Sequence, residues 1–125
     1  MLINQLLSAY IVPSVGSIRL VNSSSPLSGR VEVFLNNSWS SICLNMTSIA
    51  DMRVICRQKG YLFANSFPTA VYGQSDANAS IYQLNCVGNE NYINECSYKV
   101  VSNQGGCTHV HDLSLACSGT FRSCI

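Results

Sequence analysis

The sequence predicts a small cysteine-rich α+β domain, one main helix on several short strands. Three observations predict it: seven cysteines in 125 residues, a succession of short alternating segments, and a single well-capped helical segment. A chain of this length supports one domain, and a hydrophobic fraction of 47% supplies a core. With seven basic and six acidic residues and no run of Lys or Arg, nothing points to nucleic acid or an acidic membrane surface.

The elements follow in order. "IRLV" (18–21) is a short β-type run, followed by a Ser-rich loop. "RVEVFL" (30–35) alternates, with Val31, Val33 and Leu35 on one face. Asn36-Asn37 tolerates positive φ, so "SWSSIC" reads as the returning strand of a hairpin, with Trp39 packed inward. "TSIADMRVICRQKG" is the helix: Ser48 caps it, Asp51 stands in capping-box spacing and Gly60 closes it. Ile49, Met52, Ile55, Cys56 and the Lys59 stem recur at helical spacing and are predicted to face the sheet. Residues 65–80 read as broken, "SIYQLNC" (80–86) as a strand and "NYINEC" (91–96) as a short helical turn. "HDLSLAC" alternates again, placing His111, Leu113, Leu115 and Cys117 on one face and Asp112, Ser114 and Ala116 on the other. The aromatics Tyr61, Phe63, Phe67 and Tyr72 are assigned to the core.

Cysteines at this density are either structural disulfides in an oxidising compartment or metal thiolates in a reducing one. No close C-x2-C pair occurs, and Asn22, Asn36, Asn45 and Asn78 each open an N-x-[ST] glycosylation sequon. The chain is therefore read as extracellular. Residues 1–17 read as a leader with small residues at Ser14-Val15-Gly16, or as the trimmed start of a longer chain. No stretch is long and apolar enough to span a bilayer.

The order of motifs resembles the scavenger receptor cysteine-rich (SRCR) domain. The resemblance is carried by "IRLVNSSSPLSGRVEVFLNNSWSSIC", "DMRVICRQKGY", "YGQSDANASIYQLNCVGNE" and "NECSYKVVSNQGGCTHVHDLSLACSG". It implies a disulfide-stapled domain over 18–119 with a curved antiparallel sheet cradling the one main helix, a tail over 120–125, and the bridges Cys43–Cys107, Cys56–Cys117 and Cys86–Cys96. The extra bridge of the family's group B would need cysteines near Leu27 and at Tyr61, so the chain is similar to the six-cysteine group A. Cys124 is left over, and an intermolecular or missing partner is expected for it.

The residue types in "CTHVHDLSLAC" raise metal and catalytic readings. In an extended strand, Cys107, His109 and His111 would share a face, but positions four apart stand about 13 Å from each other. Zinc cannot take all three from a straight strand, and the implied bridge claims Cys107, which leaves a His109/His111 pair with ligands from elsewhere as the remaining zinc reading. A Cys–His nucleophile would need an unbridged cysteine near a histidine, and no G-x-S-x-G motif supports a serine hydrolase. The resemblance implies a cation site at Leu44-Asn45, His111-Asp112 and Tyr82-Gln83, where the family often carries acidic pairs. Only Asp112 keeps its carboxylate, with Asn45 offering an amide oxygen, so the site reads as degraded; no metal and no cofactor is expected. A polyanion surface would need folding to cluster Arg19, Arg30, Arg53 and Arg57. The expected function is a non-catalytic extracellular module binding proteins or glycans, within a larger receptor or secreted protein. The alternatives are a domain appended to a secreted enzyme such as a protease or amine oxidase, and a small effector acting alone.

Overall fold

The computed structural model describes residues 13–102 and 107–120. Strands β1 (Ile18–Val21), β2 (Ser28–Leu35), β3 (Ser38–Ile42), β4 (Tyr61–Ser66), β5 (Ile81–Asn85), β6 (Ser97–Val100) and β7 (Ser114–Thr120) form one sheet, and helix α1 (Ile49–Gln58) packs on it. The sheet runs β4-β7-β2-β3-β5-β6, with β1 paired to β2. Every pair is antiparallel except β3 with β5, which run parallel because α1 and β4 intervene in the chain.

Alternation in β2 does what its sequence pattern predicts. Val31, Val33 and Leu35 are fully buried with Ile55, Cys56 and Leu115. Asn36 and Asn37 take φ of 52° and 66°, the left-handed pair that a two-residue hairpin needs. The opposite face of β2 is not bare. Glu32 is buried and accepts from Arg19 at 2.6 Å and from Arg30 at 3.1 Å. The Arg19 guanidinium also lies 4.1 Å from the Trp39 ring centre, and Trp39 meets Phe34 edge-on. Trp39 is thus half-buried on this outer face rather than packed into the core.

Gly29, the second residue of β2, has φ 154°, and a Cβ there would stand 2.6 Å from the Val21 backbone. Gly29→Ala is expected to cost about 1–3 kcal/mol by forcing β1 away from β2. Urea denaturation measures it, and an unchanged midpoint would contradict the close approach.

Both halves of the capping box are present. Ser48 Oγ accepts from the Asp51 N–H, and the Asp51 carboxylate accepts from the Ser48 N–H. The other Asp51 oxygen accepts from the Cys86 N–H at 2.8 Å, so one buried carboxylate ties the start of α1 to the end of β5. Ile55 and Cys56 face the core and Met52 packs against it, with Val54 joining them. Ile49 does not: it is 67% exposed at the first position of the helix.

The last strand departs from its prediction. His109–His111 form a 3-10 turn, and β7 starts only at Ser114. Asp112 and Ser114 are buried as well as Leu113 and Leu115, because the 67–80 loop covers the second face of β7. The Phe67 N–H donates to the Ser114 carbonyl, and the Tyr72 N–H approaches Ser114 Oγ.

Three disulfides staple the layers: Cys43–Cys107, Cys56–Cys117 and Cys86–Cys96. Cys56–Cys117 joins α1 to β7, and Cys43–Cys107 holds the end of β3 to the segment entering the 107–112 turn. Of the expected leader, Gly16 and Ser17 are built into the fold, with Gly16 N–H donating to Phe34 and Ser17 carbonyl accepting from it. Residues 1–12, and Cys124 with the rest of the tail from 121, lie outside the described residues. No helix among the described residues is long and apolar enough to cross a membrane.

Candidate functional site

The topology brings the three implied cation positions to one end of the sheet. Cys43 bridges to Asp112 by backbone pairing, and its N–H donates to the Tyr82 carbonyl. Leu44-Asn45, His111-Asp112 and Tyr82-Gln83 therefore lie around the end of β3. Asn45 is exposed in a 3-10 turn over Leu44–Met46.

Asp112 is the exception. It is 0% exposed, and its carboxylate accepts from the Ser75 N–H at 2.8 Å and meets His109 Nδ1 at 3.0 Å. His109 Nε2 lies 2.9 Å from the Ala79 carbonyl. The ring thus spans a buried carboxylate on one side and a backbone carbonyl on the other. The pair pins the 75–79 loop to the 107–112 turn. His111 points elsewhere, with its Nδ1 buried and lacking a hydrogen-bond partner among the described residues.

This arrangement is not a hydrolytic triad, although Ser75, His109 and Asp112 touch one another. Ser75 Oγ and Asp112 meet the same ring atom, Nδ1, at 3.0 Å. A triad needs the acid on one nitrogen and the nucleophile on the other, and Nε2 is given to Ala79. Nor is there a thiol nucleophile among the described residues, since their six cysteines are bridged. Cys86, Glu90 and Cys96 bring three potential metal ligands together, but the two sulfurs are bonded to each other.

Next to His109 lies a cleft of about 340 Å³, bounded by Asn78, Ala79, Ile81, Ser102 and Thr108. On the far side, Arg57 donates to the Gly88 and Glu90 carbonyls, so it is committed to the 86–90 turn. Arg19 and Arg30 share the Glu32 carboxylate, which offsets their charge. The Val87 and Gly88 N–H groups donate to the Glu90 carboxylate and hold its pKa below the ordinary value, with Arg57 adding a smaller pull. A lowered pKa means the turn is stabilised above the ordinary carboxylate range and loosens as pH falls through the lowered value. The Gly88 amide shift in an NMR titration is expected to move with a midpoint below that of free glutamate; a midpoint at or above it would contradict this.

Three disulfides, one capped helix on a seven-stranded sheet and this cysteine spacing are matched by one family. A sequence model of the scavenger receptor cysteine-rich domain matches residues 21–118. The chain belongs to the SRCR domain family. An SRCR superfamily protein of Patiria pectinifera is 35% identical over 111 residues, covering 88% of this chain and 10% of that protein. Galectin-3-binding protein of Rattus norvegicus is 34% identical, covering 86% of this chain and 19% of the relative. Lysyl oxidase homolog 2A of Danio rerio is 36% identical, covering 72% and 12%. Among solved structures, the third SRCR domain of murine neurotrypsin superposes with a TM-score of 0.69 at 33% identity, covering 81% of this chain and 94% of that one. The dimeric form of the SRCR domain of mouse MARCO gives 0.58 at 29%, covering 86% and 94%. The chain thus spans a fifth or less of each of these curated relatives but nearly all of each single-domain structure.

The family resemblance implied the three bridges observed here and singled out Asp112 as a remnant cation ligand, but nothing in the sequence reading paired that acid with His109. The i,i+3 spacing of His109 and Asp112 was a usable signal had a tight turn, not a strand, been assigned there. The Ser75 and Ala79 contacts left no local signal, being about thirty residues away in the chain.

Proposed function

We propose that this SRCR domain is an extracellular, non-catalytic ligand-binding module whose recognition of proteins or glycans needs no calcium. The buried state of Asp112 supports this reading most strongly. Calcium takes six to eight oxygens, several of them charged, and the carboxylate that the implied site retains is already spent on Ser75 and His109. Asn45 and His111 add an amide and an imidazole, which do not replace acids. Relatives support the binding half: one is named as a galectin-3-binding protein. The three disulfides support an extracellular setting, and so do the exposed sequon residues Asn22, Asn36, Asn45 and Asn78, although Asn22 Nδ2 donates to the Tyr72 carbonyl. Cys124, outside the described residues, remains the candidate for an intermolecular bridge.

A second reading is favoured by the match to a lysyl oxidase homolog: the same module attached to a secreted enzyme. Both readings leave the domain itself without catalysis. Glycan and protein arrays probed with the purified chain, with and without EDTA, test the proposal. Binding to at least one ligand, unchanged by EDTA, is expected. Binding abolished by EDTA, or none at all, would overturn it.

A further inference from the structure

A groove of about 670 Å³ runs between the first turns of α1 and strand β4, walled by Ile49, Met52, Arg53, Phe63, Ala64 and Ser118. Two of its walls are large apolar side chains left in water: Ile49 is 67% exposed and Phe63 is 60% exposed. Phe63 is nonetheless held. Its ring lies against Gly119, where a Cβ would come within 2.8 Å of it, and Gly119 sits at φ 71° where L side chains are disfavoured. A bare glycine therefore gives the aromatic a flat seat on β7, so its free face needs little ordering to bind.

Arg53 stands beside these apolar groups. It is exposed and, among the described residues, makes no hydrogen bond or ion pair, whereas Arg19, Arg30 and Arg57 are each engaged. No acidic side chain and no sequon asparagine lines the groove. We propose that this groove docks an extended segment of a partner protein in which a carboxylate is flanked by an apolar side chain. Arg53 takes the carboxylate, and Ile49, Met52 and Phe63 take the apolar group. The inference rests on reading the chain as a ligand-binding module. Charge selects the occupant. A second copy docked about a two-fold axis would face one unpaired Arg53 with the other, and the chain's own 121–125 segment, FRSCI, carries no Asp or Glu side chain.

Panning a phage-displayed library of random 12-residue peptides on the full chain tests this. Selected peptides are expected to share Asp or Glu next to an apolar residue and to weaken with added salt. Their affinity is expected to fall at least about tenfold for Arg53→Glu and about fivefold for Phe63→Ala, with Arg53→Lys in between. Both positions are exposed, and thermal melts verify that the variants fold. A basic consensus, selected peptides that bind both variants as well as the parent, or a concentration-dependent dimer lost in Arg53→Glu would overturn the inference. Array ligands that bind the parent and both variants alike would overturn the groove and leave the module reading standing. A chain that binds no array ligand and selects no peptide would overturn both.

Discussion

In excess reductant the domain is expected to lose its cooperative thermal transition. The bridges Cys43–Cys107 and Cys56–Cys117 close loops with sequence separations of 64 and 61, and Cys86–Cys96 closes one of 10. By chain entropy each long bridge stabilises by about 4 kcal/mol and the short one by about 3 kcal/mol. A domain of this size has roughly 5–15 kcal/mol in all, so losing three bridges removes most or all of it. A single pair isolates one contribution. Cys56→Ala with Cys117→Ala frees α1 from β7 at the centre of the core, and a fall of about 20 °C in Tm is expected. Calorimetry with and without reductant measures both. Retention of Tm in excess reductant would show that packing, not cross-linking, holds the layers.

Asp112→Ala is expected to be the most damaging single substitution at the candidate site, costing about 3–5 kcal/mol. The side chain is wholly buried, and its removal strands the Ser75 N–H and leaves His109 Nδ1 with only the Ser75 and Ser41 hydroxyls beside it. Asp112→Asn keeps the shape and one acceptor oxygen for Ser75, yet it places an uncharged amide opposite the ring. It is expected to fall between the parent and the alanine variant. Denaturant midpoints rank the three. A neutral Asp112→Ala would mean that the acid is a spare ligand for a cation rather than a structural anchor, which would revive the cation reading.

Much of this fold was legible because its signals are local. Ser48 and Asp51 stand three residues apart, and two asparagines mark the hairpin turn, so backbone chemistry alone locates α1 and β2–β3. The sheet's edges were less visible. β4 and β6 carry weak patterns: Phe63 and all of Ser97–Val100 are exposed, and each strand is defined by its long-range pairing with β7 or β5. Exposure also undoes the assignment of Phe63 and Ile49 to the core, since burial depends on what neighbouring elements leave uncovered. The 111–117 stretch reads as a strand from its alternation, and in the zinc reading that geometry extends back to Cys107. Residues 108–112 instead form a turn closed by backbone bonds from His111 to Thr108 and Asp112 to His109. That change of geometry removes His109 and His111 from a shared face and delivers His109 to Asp112.

The buried acid separates a structural anchor from a cation ligand, and a calorimetric titration of calcium into the purified chain tests this most directly. No saturable heat is expected below about 1 mM calcium, the weak end of the range for protein sites. A single site of micromolar affinity, lost on Asp112→Asn, would contradict it.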